Sequence, residues 1–86
     1  MTKTFSEKVR DVVRKISKGK TMTYAEVARR AGNPRAARAV GAIMRSNYNR
    51  DIPCHRVIYS SGAIGNYNRG GTLRKKAILK AEGAIQ

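Results

Sequence analysis

One short segment, Pro53-Cys54-His55-Arg56-Val57, holds the residue types that nucleophilic chemistry needs. The thiolate, not the thiol, is the attacking form of cysteine, and neighbouring cationic or basic groups favour it. His55 and Arg56 are such neighbours. Glu82 is the only carboxylate in the C-terminal third of the chain. If the helix that carries it packs back on this segment, Cys54, His55 and Glu82 fill the roles of nucleophile, base and orienting acid. The competing reading is that a lone cysteine is usually a small buried hydrophobe, with an incidental histidine beside it. Adjacent side chains on a regular strand also point to opposite faces. Cys54 and His55 therefore cooperate only if the backbone bends there or a water links them. The turn-rich residues that follow supply backbone N–H groups for lining a pocket.

The rest of the composition narrows what such a site could serve. The chain has 86 residues, so the expectation is one small domain spanning residues 1–86. One cysteine excludes an intramolecular disulfide, and one cysteine with one histidine cannot build a structural zinc site. No structural zinc is expected. Apolar runs fall far short of the roughly 18 residues that span a bilayer. The stretch Met1-Thr2-Lys3-Thr4-Phe5-Ser6 lacks the apolar core of a signal peptide. These features lead to the expectation of an intracellular domain with no membrane partner. Lys+Arg number 19 against 5 Asp+Glu, a formal charge of +14, and 41% of residues are hydrophobic. A field of that size on a foldable chain points to a polyanion, above all nucleic acid. A membrane-surface helix would concentrate its cations on one amphipathic element, whereas here they run from Lys3 to Lys80.

The elements that must position these residues are readable from period and punctuation. Phe5, Val9, Val12, Val13 and Ile16 recur at helical spacing, and Thr4 with Glu7 forms a capping box, so a helix is predicted over Phe5–Ser17, ended by Gly19. Lys20-Thr21-Met22 reads as a short extended segment. Thr23 with Glu26 predicts a second capping box and helix, closed by Gly32. Asn33 is then expected to cap a third helix with Pro34 at its first position. Two helices joined by a tight glycine turn make a helix-turn-helix signature, though an ordinary helical hairpin has the same turn. On the third helix Ala36, Ala37, Val40, Ile43 and Met44 share one face, and Arg35, Arg38, Ala42 and Arg45 the other. Gly41 sits on the flank. Small residues let a helix approach a groove while arginines reach phosphates or bases. Ile52–Tyr59 reads as extended, and Ser60-Ser61-Gly62 as a turn from which Ala63-Ile64 returns to form a hairpin or wing. Leu73–Glu82 reads as a last helix, capped by Thr72 and stopped by Gly83. The expected fold is α+β, a small winged-helix-like domain with a helix-turn-helix and a short β hairpin.

Ile52-Pro53-Cys54-His55-Arg56-Val57-Ile58, followed by Ser60-Ser61-Gly62-Ala63-Ile64-Gly65-Asn66-Tyr67, resembles the active-site region of O6-alkylguanine-DNA alkyltransferases. Gly32-Asn33-Pro34-Arg35-Ala36-Ala37-Arg38-Ala39-Val40-Gly41 is similar to their recognition helix. The resemblance covers nearly the whole chain but only the family's C-terminal domain. It implies a DNA-repair methyltransferase that binds the minor groove of double-stranded DNA containing O6-alkylguanine. The damaged base is flipped out, because its reacting atom is shielded inside the duplex, and the alkyl group moves irreversibly to a cysteine. It implies that Cys54 is the nucleophile, that His55 deprotonates it through a water, and that Glu82 orients His55. Tyr24 would hydrogen-bond the flipped guanine, Arg38 would fill the vacated stack, and Asn47 would brace the site. Arg35, Ala39, Gly41, Ala42 and Arg45 would complete the DNA face, and Val57, Tyr67 and Asn68 would line the base pocket.

Three features depart from the pattern. Asn68 stands where many members carry serine, Arg69-Gly70-Gly71 is longer by one residue, and the Asn47–Cys54 stretch is shorter than in human-like members. A monomer acting alone is expected. The single-domain size also resembles alkyltransferase-like proteins, sensors that bind lesions without a cysteine and hand them to excision-repair proteins. A non-enzymatic winged-helix or ribosomal-type nucleic-acid binder is the third reading, and it leaves the PCHRV segment unexplained.

Overall fold

Thr4 starts the first helix by satisfying backbone donors that a helix leaves open at its N-terminus. Its hydroxyl accepts from Glu7 N at 3.2 Å, and the Glu7 carboxylate accepts from Thr4 N at 3.4 Å. In the computed structural model of this chain, which describes residues 3–65 and 67–85, α1 spans Phe5–Arg14. Met1, Thr2 and Asn66, named above, lie outside the described residues. The helix stops short of the predicted Ser17. Ile16 N bonds Val13 O in a tightened last turn, and Lys20 N closes a new turn on Ser17 O, with Gly19 at φ +87°. Ile16 nevertheless stays in the core with Val9 and Val13.

Strand β1 is Met22–Thr23, and α2 is Tyr24–Arg30. Thr23 caps α2, accepting from Glu26 N at 3.0 Å. The predicted box is only half formed, because the Glu26 carboxylate turns forward to Arg29 and Arg30. Gly32 ends the helix as expected. Asn33 N reaches back to Ala28 O and Gly32 N to Arg29 O, with Gly32 at φ +98°, a conformation a side chain would strain.

The third helix, α3, begins at Ala37 and runs to Arg45, three residues after the predicted start at Pro34. The Asn33 side chain does cap, but it caps a turn: Oδ1 accepts from Arg35 N and the Asn33 carbonyl from Ala36 N. Arg35 therefore sits in the turn and not on the helix. The predicted faces hold for the residues that remain on the helix, and Ala39 joins the exposed one. Val40 and Met44 are buried, whereas Arg38, Ala39, Ala42 and Arg45 are exposed.

Ile52–Tyr59 is not one extended segment. Pro53 leads into a 3₁₀ turn at Cys54–Arg56, closed by Arg56 N on Pro53 O, and only Val57–Ile58 forms a strand, β2. That strand pairs in parallel with β1, Met22 opposite Val57 and Thr23 opposite Ile58. The predicted hairpin is thus absent among the described residues. Tyr59 N bonds Ala63 O and Gly62 N bonds Tyr59 O, which closes a turn, and Ala63-Ile64 does not pair as a strand. Gly65, at φ +80°, then directs the chain onward.

Helix α4 spans Gly71–Ala81 and starts ahead of the predicted Leu73. Thr72 is not its cap, because its hydroxyl donates to Gly65 O. Gly83 stops the helix at φ +77° by the same double back-bonding seen at Gly32. The core joins α1, α2, α3 and the 3₁₀ turn through Val9, Val13, Val27, Val40, Met44, Ile52, Cys54 and Val57. Among the described residues no helix is long and apolar enough to cross a membrane.

Candidate active site

The 3₁₀ turn resolves the objection that a regular strand would separate Cys54 from His55. At about three residues per turn, successive side chains diverge by roughly 120° and not 180°. Cys54 points into the core, where it is 5% exposed, while His55 and Arg56 reach across to the end of α4. There Glu82 is the last, capping residue of the helix. Its Oε2 lies 3.0 Å from His55 Nε2 and 2.8 Å from Arg56 Nη2, and its Oε1 accepts from Arg56 Nε at 3.0 Å. The third guanidinium nitrogen, Nη1, donates to Ile16 O at 2.7 Å. Arg56 thus ties the carboxylate to the end of α1. Gly19 admits the close approach, because a Cβ there would lie 3.3 Å from the Glu82 carbonyl.

The Arg56 hydrogen bonds, with that of His55 adding to them against an opposing effect of burial, push the Glu82 carboxyl down to about 2. Glu82 is therefore ionised and accepts only, so Nε2 of His55 must carry the proton. In the neutral imidazole this leaves Nδ1 as the basic nitrogen, the arrangement a general base requires. Arg56 is the residue whose role sequence reasoning misplaced: it faces the carboxylate, not the thiol.

Cys54 opens onto a cavity of about 70 Å³ lined by Tyr24, Gly41, Met44, Arg45, Tyr59, Tyr67 and Asn68. Tyr24 enters from the start of α2. Burial, together with the neighbouring Tyr59 and Cys54, pushes its hydroxyl up to about 12, so it remains a neutral donor. Lys75, 1% exposed on α4, donates to the Tyr24 oxygen at 3.3 Å. With that oxygen engaged, the Tyr24 proton is free to point elsewhere. Burial pushes Lys75 down to about 8, a fall that the nearby Cys54 opposes. Nothing in the sequence singled out Lys75. The one trace is the weak apolar period of α4, whose buried stripe has a lysine in it.

Two asparagines hold the walls. Asn47 is buried, and its amide bonds the carbonyls of Asn49 and Ile52 while accepting from Asn49 N, bracing the loop that delivers Cys54. Asn68 Nδ2 lies within hydrogen-bond reach of three carbonyls, Met44 (3.3 Å), Arg45 (2.7 Å) and Asn47 (2.6 Å), so the end of α3 is tied to the cavity roof. Tyr67 lines the cavity and presents an edge-on ring to His55 at 6.3 Å. Val57, expected in the base pocket, is fully buried in the core instead and is not on the cavity wall. Strand pairing with Met22 turns it inward.

A wider groove of about 350 Å³ adjoins the cavity and shares Tyr24, Gly41, Arg45 and Tyr59 with it. Arg38 and Ser60 line its outer part. At Gly41 a Cβ would meet nothing within 4 Å, so the missing side chain leaves open space where the two meet. Arg38, Ala39, Ala42 and Arg45 thus lie on the exposed face of the helix that floors both spaces, with Arg35 in the preceding turn. Among the described residues no cluster of His, Cys, Asp or Glu could hold a metal ion.

Two helices joined by a tight glycine turn, with a cysteine in a cavity behind the second, on a chain of net charge +14, define a small cationic domain built around one thiol. Residues 4–84 match the family described as 6-O-methylguanine DNA methyltransferase, DNA binding domain, and the chain belongs to that family. It is 56% identical over 66 residues to the methylated-DNA--protein-cysteine methyltransferase of Rattus norvegicus, which covers 76% of this chain and 32% of that protein. To the protein of the same name from Methanothermobacter thermautotrophicus it is 49% identical over 80 residues, 92% of this chain and 44% of the relative. The chain therefore spans less than half the length of these curated relatives. Its backbone matches Mycobacterium tuberculosis OGT in complex with DNA with a TM-score of 0.86 at 40% identity, covering 95% of this chain and 50% of that one. It also matches S. pombe Atl1 in complex with damaged DNA containing O6-carboxymethylguanine, with a TM-score of 0.82 at 41% identity, covering 92% and 75%.

Proposed function

We propose that residues 1–86 act as one DNA-binding alkyltransferase domain that repairs O6-alkylguanine in double-stranded DNA, working intracellularly as a monomer without a cofactor. The observation that carries this reading is Cys54, at the foot of a cavity, in the same turn as a histidine held by an ionised Glu82. The exposed face of α3 enters the minor groove, the lesion flips outward, and Arg38 fills the gap it leaves. His55, through a water, takes the thiol proton. The sulfur then attacks the carbon on O6. One S–C bond forms, one C–O bond breaks, and the electron pair stays on the guanine oxygen. Tyr24 hydrogen-bonds the base and assists its protonation, which restores guanine.

A thioether does not revert under mild conditions, and the chain has no second cysteine to accept the group. Each molecule should gain one alkyl group and then remain inert. The likeness to Atl1 on damaged DNA supports a second reading, a sensor that binds the lesion and recruits excision-repair proteins. Intact mass after incubation with excess methylated duplex separates the two. A single methyl increment, abolished in Cys54→Ser while lesion binding persists, is the expected result. Unchanged mass with tight lesion binding overturns the transferase and leaves the sensor. Repeated turnover excludes both.

A further inference from the structure

We propose that Tyr59 is a specificity-determining residue that limits the transferable group to methyl and similarly small alkyls. This inference rests on the alkyl-transfer reading. The cavity at Cys54 encloses about 70 Å³, whereas an apolar cavity that takes a benzene ring encloses roughly 150 Å³. The wider groove beside it, about 350 Å³, has the size of a small-molecule site and suits the flipped base. The base then lies on the groove side with its O6 substituent directed at the sulfur, so the smaller space must hold the substituent.

Four residues are common to both spaces: Tyr24, Gly41, Arg45 and Tyr59. Gly41 contributes no side chain, and Arg45 is exposed. Tyr24 is anchored by Lys75. Tyr59 is what remains to set the width. Its ring packs on Tyr24 at 4.9 Å with a 48° tilt. It also lies over Gly65, where a Cβ would come within 2.8 Å of it. Half of Tyr59 is exposed, so it forms a wall that faces solvent on one side and the thiol cavity on the other. The chain puts this large ring directly after β2, on a turn held by Tyr59 N and Ala63 O.

The test compares duplexes carrying O6-methylguanine and O6-benzylguanine, with transfer rates read by intact mass for wild type, Tyr59→Ala and Tyr59→Phe. Wild type should favour methyl over benzyl by about tenfold or more, the scale on which an apolar pocket rejects excess bulk. Tyr59→Ala should raise the benzyl-to-methyl ratio about tenfold, and Tyr59→Phe, which keeps the ring, should retain the wild-type ratio. Equal rates in wild type, or an unchanged ratio in Tyr59→Ala, overturn the assignment while leaving the transferase intact. If folded wild type transfers neither group, the transferase reading fails and the same ratio is read from duplex affinities. A methyl preference lost in Tyr59→Ala then supports the size limit, and equal affinities in wild type overturn it.

Discussion

Glu82→Gln removes one charge from a partly buried three-residue cluster and nearly nothing else, so its effect can be worked out in advance. Glu82 caps the C-terminus of α4, where the helix dipole disfavours a carboxylate. Arg56 more than offsets this, holding the carboxyl near 2 against an ordinary 4.5. At about 1.36 kcal/mol per pH unit the difference is roughly 3 kcal/mol at neutral pH. The side chain is 12% exposed, so only a small discount for solvent applies, and about 2–3 kcal/mol is expected. In a domain of this size each kcal/mol moves the midpoint by roughly 4–8 °C. Glu82→Gln should therefore melt some 10–20 °C below wild type at pH 7 by that scale. The glutamine also leaves the Arg56 guanidinium without a counter-charge, in keeping with a value toward the upper end.

The pH dependence gives the sharper check. A carboxyl depressed in the folded state stabilises it above the unfolded value, and the contribution fades as pH falls through the folded one. The gap between wild type and Glu82→Gln should be full above about 4.5 and close toward 2. Glu26, also held near 2, and Asp11 titrate in both proteins and cancel in the difference. Thermal melts followed by circular dichroism across this range make the measurement. A gap that stays constant from neutral pH down to about pH 2 would refute the electrostatic account. So would two proteins that melt within a degree or two of each other at pH 7, roughly the shift of a mere few tenths of a kcal/mol.

Three further outcomes follow from the charge, the exposed helix face and the buried lysine. With a net charge of +14, log K for duplex binding should fall steeply with log salt, and binding unchanged from about 50 to 200 mM would contradict phosphate neutralisation. Arg38→Ala should slow alkyl transfer more than it weakens duplex binding, because a side chain that fills the vacated stack acts only after flipping; equal losses would make it an ordinary phosphate contact. Lys75, depressed to about 8 from 10.5, binds its proton less readily when folded. Wild-type stability, measured by urea unfolding relative to Lys75→Met, should therefore rise between those two values, and a flat difference would show that burial does not penalise its charge.

The parts of the fold legible in the sequence were those decided by neighbours in the chain. The Thr4–Glu7 box and the glycine stops at Gly32 and Gly83 depend on groups within one turn, and each formed as read. The departures arose where one residue could satisfy two local arrangements or where the partner was remote. Asn33 can cap a helix or an isolated turn with the same oxygen, and the turn won. Val57-Ile58 reads as half of a hairpin until β1, distant in sequence, takes the pairing in parallel. The His55–Glu82 pair was legible because one carboxylate stood alone in its part of the chain. Lys75 and Tyr59 were not, since a lysine on a helix does not signal the buried tyrosine it bonds, nor a tyrosine before a turn the cavity it lines.

A single helix links the two halves of the site. The exposed face of α3 carries Arg38, Ala39, Ala42 and Arg45, while its other side brings Gly41 and Met44 to the thiol cavity. Asn68 fixes the roof to the last carbonyls of that same helix, and Asn47, whose carbonyl it also reaches, braces the loop leading to Cys54. On the proposed reading, docking of α3 on a duplex also places the cavity mouth relative to the groove. Reactions that depend on near-attack geometry lose about a hundredfold for a misplacement of roughly 1 Å. On that reading the side-chain ties that lock α3 to the roof and to the loop bear on rate through position. On the proposed reading α3 serves as binding surface and as cavity wall at once, and Asn47 and Asn68 make those two roles move together.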